Sequence, residues 1–247
     1  MKRKLVVAAA TLSLFPIFLI TLLPASVAIG WFSLGGIGFS GVSGTIWTGS
    51  IAQISSSDIS LGRLQWSNGS LAGLIGRPAW DIELNRPDGF VRGRVAIRSG
   101  GTLSLDDVDA VGSLESLGRL LPLYGTRGGV TARIDRLRVE GGQIILIKGR
   151  VVFDTLITNA LKSGDLGSIE LIFPGDDAAP LTGQVTAIEG PLQIRDGQIR
   201  IGSDGSYEID GRIAPAPGAP SEIVDAMQFF GNPDSEGFRQ FSQAGSR

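Results

Sequence analysis

Hydrophobic and polar positions follow two different periods along this chain, and the change falls near residue 24. Lys2, Arg3 and Lys4 open the chain, and the next charge is Asp58. Between them Leu5 to Leu23 reads LVVAAATLSLFPIFLITLL, 19 residues without a charge. A helix of that length crosses a hydrocarbon core of about 30 Å at a rise of about 1.5 Å per residue. Pro16 falls mid-run, where a transmembrane helix tolerates it. Basic flanks stay on the cytoplasmic side, so the pattern predicts a cytoplasmic N-terminus and an exported body. A cleaved signal peptide is the rival reading, with Ser26-Val27-Ala28 before the cut and Ile29 as the new N-terminus. The run exceeds the usual hydrophobic region of a signal peptide, which favours an anchor.

After Pro24 the period becomes two. Trp80, Ile82 and Leu84 alternate with Asp81, Glu83 and Asn85. Val91, Gly93, Val95 and Ile97 alternate with Arg92, Arg94, Ala96 and Arg98. The same pattern recurs over Leu181 to Ala187 and Tyr207 to Ile213. Alternation of this kind marks half-buried strands with one wet face. Turn signals separate them at Arg86-Pro87-Asp88-Gly89, Ser99-Gly100-Gly101, Glu140-Gly141-Gly142, Arg195-Asp196-Gly197 and Ser203-Asp204-Gly205. The spacing predicts a meander of antiparallel hairpins. Two short helices are expected, one from Leu114 to Leu123 capped by Ser113 and one from Glu222 to Phe230 capped by Ser221. The fold class that results is mainly β: a single N-terminal transmembrane helix, then an exported antiparallel, curved β-sheet with one or two short helices.

The segments follow from these patterns. Residues 1–4 are a cytoplasmic basic leader, 5–24 the anchor and 25–41 a Gly-rich linker. Residues 42–214 form the β domain, and 215–247 a Pro-rich spacer with a C-terminal helix and tail. Val42-Ser43-Gly44-Thr45-Ile46, Leu181-Thr182-Gly183-Gln184-Val185 and, more weakly, Gly128 to Ala132 resemble one another. Duplication and convergent hairpin composition both account for that likeness.

Composition narrows the chemistry. The 247 residues contain no Cys and no His, which removes disulfides, Cys or His metal sites, thiol nucleophiles and a Ser-His-Asp triad. Lys and Arg number 22 against 24 Asp and Glu, a balance that argues against nucleic acid. Without Lys2, Arg3 and Lys4 the remainder has 19 basic and 24 acidic residues, about −5. No catalytic, cofactor-binding or metal-binding residues are assigned. Gly36-Ile37-Gly38-Phe39-Ser40-Gly41 matches G-x-G-x-x-G, but a dinucleotide site needs a strand before it and a helix after it. The pattern here reads as a linker. Asp106-Asp107 and Asp176-Asp177 are carboxylate pairs, and adjacent strand residues point to opposite faces, so they read as solvated acids. Arg92, Arg94 and Arg98 share one face, where they suit an acidic partner or lipid phosphate, or simply a wet sheet surface. Trp47, Trp66 and Trp80 serve as core aromatics or interface anchors, and Trp31 is the first interface candidate after the anchor.

Three segments together resemble the type II secretion system protein N family of Gram-negative bacteria. The first is the basic leader and anchor, ending in Leu22-Leu23-Pro24-Ala25. Next comes Val42-Ser43-Gly44-Thr45-Ile46-Trp47-Thr48-Gly49-Ser50, similar to that family's V-S-G-T-[hydrophobic]-W-[ST]-G-S signature, with Leu64, Gln65 and Trp66 following. The last is Phe230-Gly231-Asn232-Pro233-Asp234 with Gly237-Phe238-Arg239, which resembles its closing segment. The resemblance implies an accessory inner-membrane and periplasmic component of the machinery that exports folded proteins across the outer membrane. It also implies no catalysis, and partners among the inner- or outer-membrane subunits of that machinery. The positions it singles out, for structure or partner contact, are Val42, Ser43, Gly44, Trp47, Gly49, Gly231, Pro233 and Asp234. A second likeness, to AsmA-like periplasmic proteins, rests on strand pattern and anchor alone and implies a lipid-handling sheet with an apolar groove.

Overall fold

From Ile37 onward the period-two alternation becomes thirteen antiparallel strands among the described residues of the computed structural model. It describes residues 21–31, 37–56, 59–68, 78–117, 125–159, 164–175 and 180–245. The chain divides into two compact units, Met1–Pro87 and Asp88–Arg247. The N-terminal unit holds helix α1 (Ala25–Trp31) and strands β1 (Ile37–Gly44), β2 (Thr48–Ser56), β3 (Ile59–Ser67) and β4 (Ala79–Arg86). Each strand pairs with the next in chain order. Ile51 faces Val42 on one side and Leu64 on the other, so the apolar positions of three strands fall on one face. Ala25 of α1 and Ile51 are both only 2% exposed.

The C-terminal unit is itself a meander, beginning with β5 (Gly89–Ile97), β6 (Leu103–Ser113), β7 (Thr126–Glu140), β8 (Gln143–Thr158) and β9 (Asp165–Pro174). It ends with β10 (Leu181–Glu189), β11 (Leu192–Ile201), β12 (Tyr207–Pro215) and β13 (Arg239–Gly245). A four-residue helix α2 (Leu114–Leu117) follows β6, and α3 (Ser221–Ala226) runs into a 3-10 turn, Met227–Phe230, after β12. Strict alternation gives this sheet one apolar and one charged face. Phe173, Val185 and Ile199 form one buried cluster on the apolar face. Ile213 packs with Ile223 and Met227 from α3 and the 3-10 turn in a second. Elsewhere that face is partly open: Ile97 and Ile144, in one cross-strand row through Leu103 and Val139, are both exposed.

Several sequence expectations change in detail. Within residues 25–41, read as a linker, the chain forms α1 and the first part of β1, because a glycine-rich strand still pairs through its backbone. Arg195-Asp196-Gly197 is not a turn between strands but a bulge inside β11, with Asp196 at φ 51. An Asp-Gly pair suits a left-handed bulge residue as well as a turn. The C-terminal helix is α for six residues only, Ser221 is its first residue, and Pro220 occupies the cap position without a side-chain hydrogen bond. Gly231 at φ 85 ends the 3-10 turn. Residues beyond it, read as a tail, fold back to make β13 against β12. Ser113 ends β6 and bonds Asp88 and Ser116 through its hydroxyl, and the helix after it covers Leu114–Leu117 among the described residues. Of the three similar Gly-containing segments, one is the end of β1 and its turn, and the other two lie at the starts of β10 and β7. The transmembrane expectation concerns Leu5 to Leu23, of which only Thr21 to Leu23 are described. Among the described residues no helix is long and apolar enough to cross a membrane.

Candidate functional site

Two constellations gather the singled-out residues, one in each unit. The first is the turn between β1 and β2. Val42, Ser43 and Gly44 pair with Ile51, Ser50 and Gly49, and the Ser43 and Ser50 hydroxyls are 3.0 Å apart. Thr45 closes the turn: its N–H donates to the Thr48 carbonyl at 2.8 Å, and its hydroxyl accepts from Trp47 N–H and Thr48 N–H. Gly44 has φ 89, and a Cβ there would collide with the Thr48 carbonyl oxygen. Only glycine fits that conformation at that separation. Gly49 lies beside Trp66, where a Cβ would stand 2.5 Å from the indole.

Three tryptophans close around this turn. Trp66 donates its indole N–H to the Thr45 carbonyl at 3.1 Å, and Trp80 donates to the Ile46 carbonyl at 2.9 Å. Trp47 stacks on Trp80 with ring centroids 6.4 Å apart. All three rings are half-buried, so Trp47 is neither a fully buried core residue nor a free-standing anchor. The turn also holds the end of the apolar run: Ile46 N–H donates to the Leu23 carbonyl at 3.1 Å, and Pro24 bridges Thr45. The residue that ends the apolar run is thereby hydrogen-bonded to this turn.

The second constellation is the loop from Gly231 to Phe238. Asp234 organises it. Its Oδ1 accepts from the N–H groups of Glu236 and Phe238, both at 2.9 Å, and its Oδ2 accepts from Arg212 at 3.2 Å. The Phe238 N–H in particular, with Glu236 N–H and Arg212, holds the Asp234 carboxyl below its ordinary value. Arg212 also bonds Asp196 at 2.6 Å and Glu236 at 3.2 Å, and these carboxylates raise its already high pKa. Phe238, 4% exposed, lies under the guanidinium groups of Arg195 and Arg212 at 4.4 and 5.8 Å from its centroid. Pro233 sits exposed at the top of the loop, and the Gly231 carbonyl accepts from Arg239.

The charged face of the C-terminal unit carries a lattice of cross-strand pairs. Asp109 binds Arg92 and Arg133 at 3.2 and 3.1 Å, and hydrogen bonds from Arg133 and then Arg92 hold its carboxyl below the ordinary value. Asp106 binds Arg98 and Arg136, while Asp107 adopts φ 53 at a bulge. The Asp106-Asp107 pair therefore diverges, and Asp106 is the centre of an ion-pair cluster rather than an isolated solvated acid. Asp176 and Asp177 lie outside the described residues. Among the described residues no group of three or more metal-ligating side chains is positioned for an ion. Gly38 and Gly41 lie within β1, and the next element is another strand, so the strand-turn-helix context of a dinucleotide site is not met.

The sequence motif groups Trp47, Gly44 and Gly49, read there as one close-packed strand; Trp47 lies in the turn between β1 and β2, and the motif does not connect Trp66 and Trp80 to Thr45 and Ile46. Sequence reasoning also missed Arg195 and Arg212 beneath the closing segment. The available signal was register: Gly49 is opposite Trp66, as expected where a bulky ring needs space across a ladder.

A family model described as type II secretion system, protein N, matches residues 35–242. The chain belongs to the type II secretion system protein N family. That match runs from the strand that opens the tryptophan turn to the last strand of the sheet. A curated relative, the type II secretion system protein N of Aeromonas hydrophila, is 25% identical over 252 residues, covering 96% of each chain. No solved structure matches the chain significantly. Family membership supports this chain as a component of the type II secretion system.

Proposed function

We propose that this protein is an accessory structural component of the secretion machinery. It is held in the inner membrane by Leu5 to Leu23, with its N-terminus in the cytoplasm and both β units in the periplasm. There it contacts other subunits and catalyses nothing. Family membership supports the setting, and one observation carries the anchored topology. Leu23 and Pro24 are bound into the tryptophan turn, and Ala25 is buried against the sheet. A cut after Ala28 would remove all three and leave the turn without its partner. An uncleaved chain instead passes from membrane to sheet through a fixed joint, which suits a subunit that must present its periplasmic surface at a set height. Mass spectrometry of the mature protein tests this: retention of residues 1–28 is expected, and an N-terminus at Ile29 would overturn it.

A second reading, a lipid-handling sheet, draws on the incompletely covered apolar face where Ile97 and Ile144 are exposed. Contiguous exposed apolar surface marks interaction sites. Co-purifying lipid that is lost on Ile97→Ser with Ile144→Ser would favour it over the structural reading.

A further inference from the structure

The N-terminal unit has a groove of about 320 Å³ between α1 and the apolar face of its sheet. Ala28 and Ile29 line one side, and Phe39, Ile51, Leu64 and the ring of Trp66 the other. The indole N–H of Trp66 is already given to the Thr45 carbonyl, so the ring offers the groove only apolar surface. No charged side chain lines it. The size falls within the range of small-ligand sites, roughly 300–1,000 Å³.

The chemistry and the position of this groove select its occupant. A peptide segment would bring backbone N–H and C=O groups that the lining cannot pair, and each unpaired group is costly. A hydrocarbon chain brings none. The groove also starts immediately beyond Leu23, where the 19-residue apolar run ends. Ala25 is two residues further on, a reach of at most about 7 Å. With the run spanning the membrane as proposed above, the groove would lie at the depth where acyl chains meet headgroups.

We propose that this groove takes one acyl chain of a phospholipid from the periplasmic leaflet of the membrane that holds the anchor. The inference rests on the anchored reading above. The lipid then completes the packing between α1 and β1–β3 and fixes the sheet at the membrane surface, with the stacked Trp47 and Trp80 alongside. This is a positioning role, separate from any transport of lipid along the second unit.

Bromine on an acyl chain quenches tryptophan fluorescence on contact, which supplies the test. The full-length protein is reconstituted into phosphatidylethanolamine and phosphatidylglycerol vesicles with brominated or unmodified acyl chains. Three forms are compared: the wild type, Ala28→Phe, which fills the groove, and Val27→Phe, which adds the same ring at an exposed position. The expected result is strong quenching in the wild type and Val27→Phe, and its partial loss in Ala28→Phe. Equal quenching in all three, with the protein floating with the vesicles, overturns the groove while leaving the anchor intact. Failure to float with vesicles overturns the anchored reading and the inference together. Ala28→Leu replaces Ala28→Phe if the larger ring abolishes the melting transition.

Discussion

Gly49 and Trp66 show how a single missing atom can matter in this protein. A Cβ on residue 49 would stand 2.5 Å from the indole and equally close to the Ser43 carbonyl. Gly49→Val should therefore destabilise the N-terminal unit by about 1–3 kcal/mol, the usual cost of overpacking. Thermal unfolding reads this directly, and an unchanged melting curve would show that the turn can open without cost. Trp47→Ala should cost less than the ~3–5 kcal/mol of a fully buried Trp, because its ring is half-buried and loses chiefly the stack on Trp80. Asp234 sets the acid limit of the closing loop. Its folded pKa is depressed, so its stabilising effect is complete above the unfolded value of about 3.9 and is lost as pH falls through the folded value. The Phe238 amide resonance should stay put from neutral pH to about pH 4 and shift only below it. Asp234→Asn should abolish that titration. A transition of this amide near neutrality would assign control to another group.

At the scale of elements, α3 and the 3-10 turn after it act as the plug for one end of the second sheet. Ile223 is 1% exposed and Met227 4%, and both pack on Ile213 of β12. Ile223→Ala should cost about 2–5 kcal/mol, as buried aliphatic truncations do. Loss of cooperativity in the thermal transition of the C-terminal unit checks it, and a shift no larger than that of Val224→Ala, an exposed neighbour, would mean the helix is not a core element. Ion-pair rungs play a different part. The Arg92–Asp109–Arg133 row is mostly solvent-exposed, so it orders the charged face without adding much stability.

For the whole molecule, the decisive prediction concerns topology and export. A C-terminal reporter active only in the periplasm should be active, and replacing Leu14 and Leu19 by Arg should abolish both membrane retention and secretion. A soluble variant that still supports secretion would refute the anchored role. Asp106→Asn with Asp107→Asn should leave secretion close to normal, since these residues organise a surface and carry no reaction. Loss of secretion from a stable, inserted double variant would point to chemistry or partner contact there.

Much of this was legible along the chain. Strict alternation at Trp80 to Asn85, Val91 to Ile97 and Leu181 to Ala187 specifies strands with one wet face, because side-chain direction in a strand depends on sequence parity alone. The absence of Cys and His limits chemistry whatever the fold. Position in space was not legible. Asp196-Gly197 reads equally as a turn or a bulge, and only pairing of β11 with both β10 and β12 decides between them. The tail at residues 239–245 carries too little hydrophobic pattern to announce a strand, and β12 supplies the backbone partners that make it one. Likewise Trp66 and Trp80 converge on Thr45 and Ile46 across 21 and 34 residues of sequence. Such contacts depend on register, which no local pattern encodes, so the joint at Leu23 and the groove beside it emerge only once the strands are aligned.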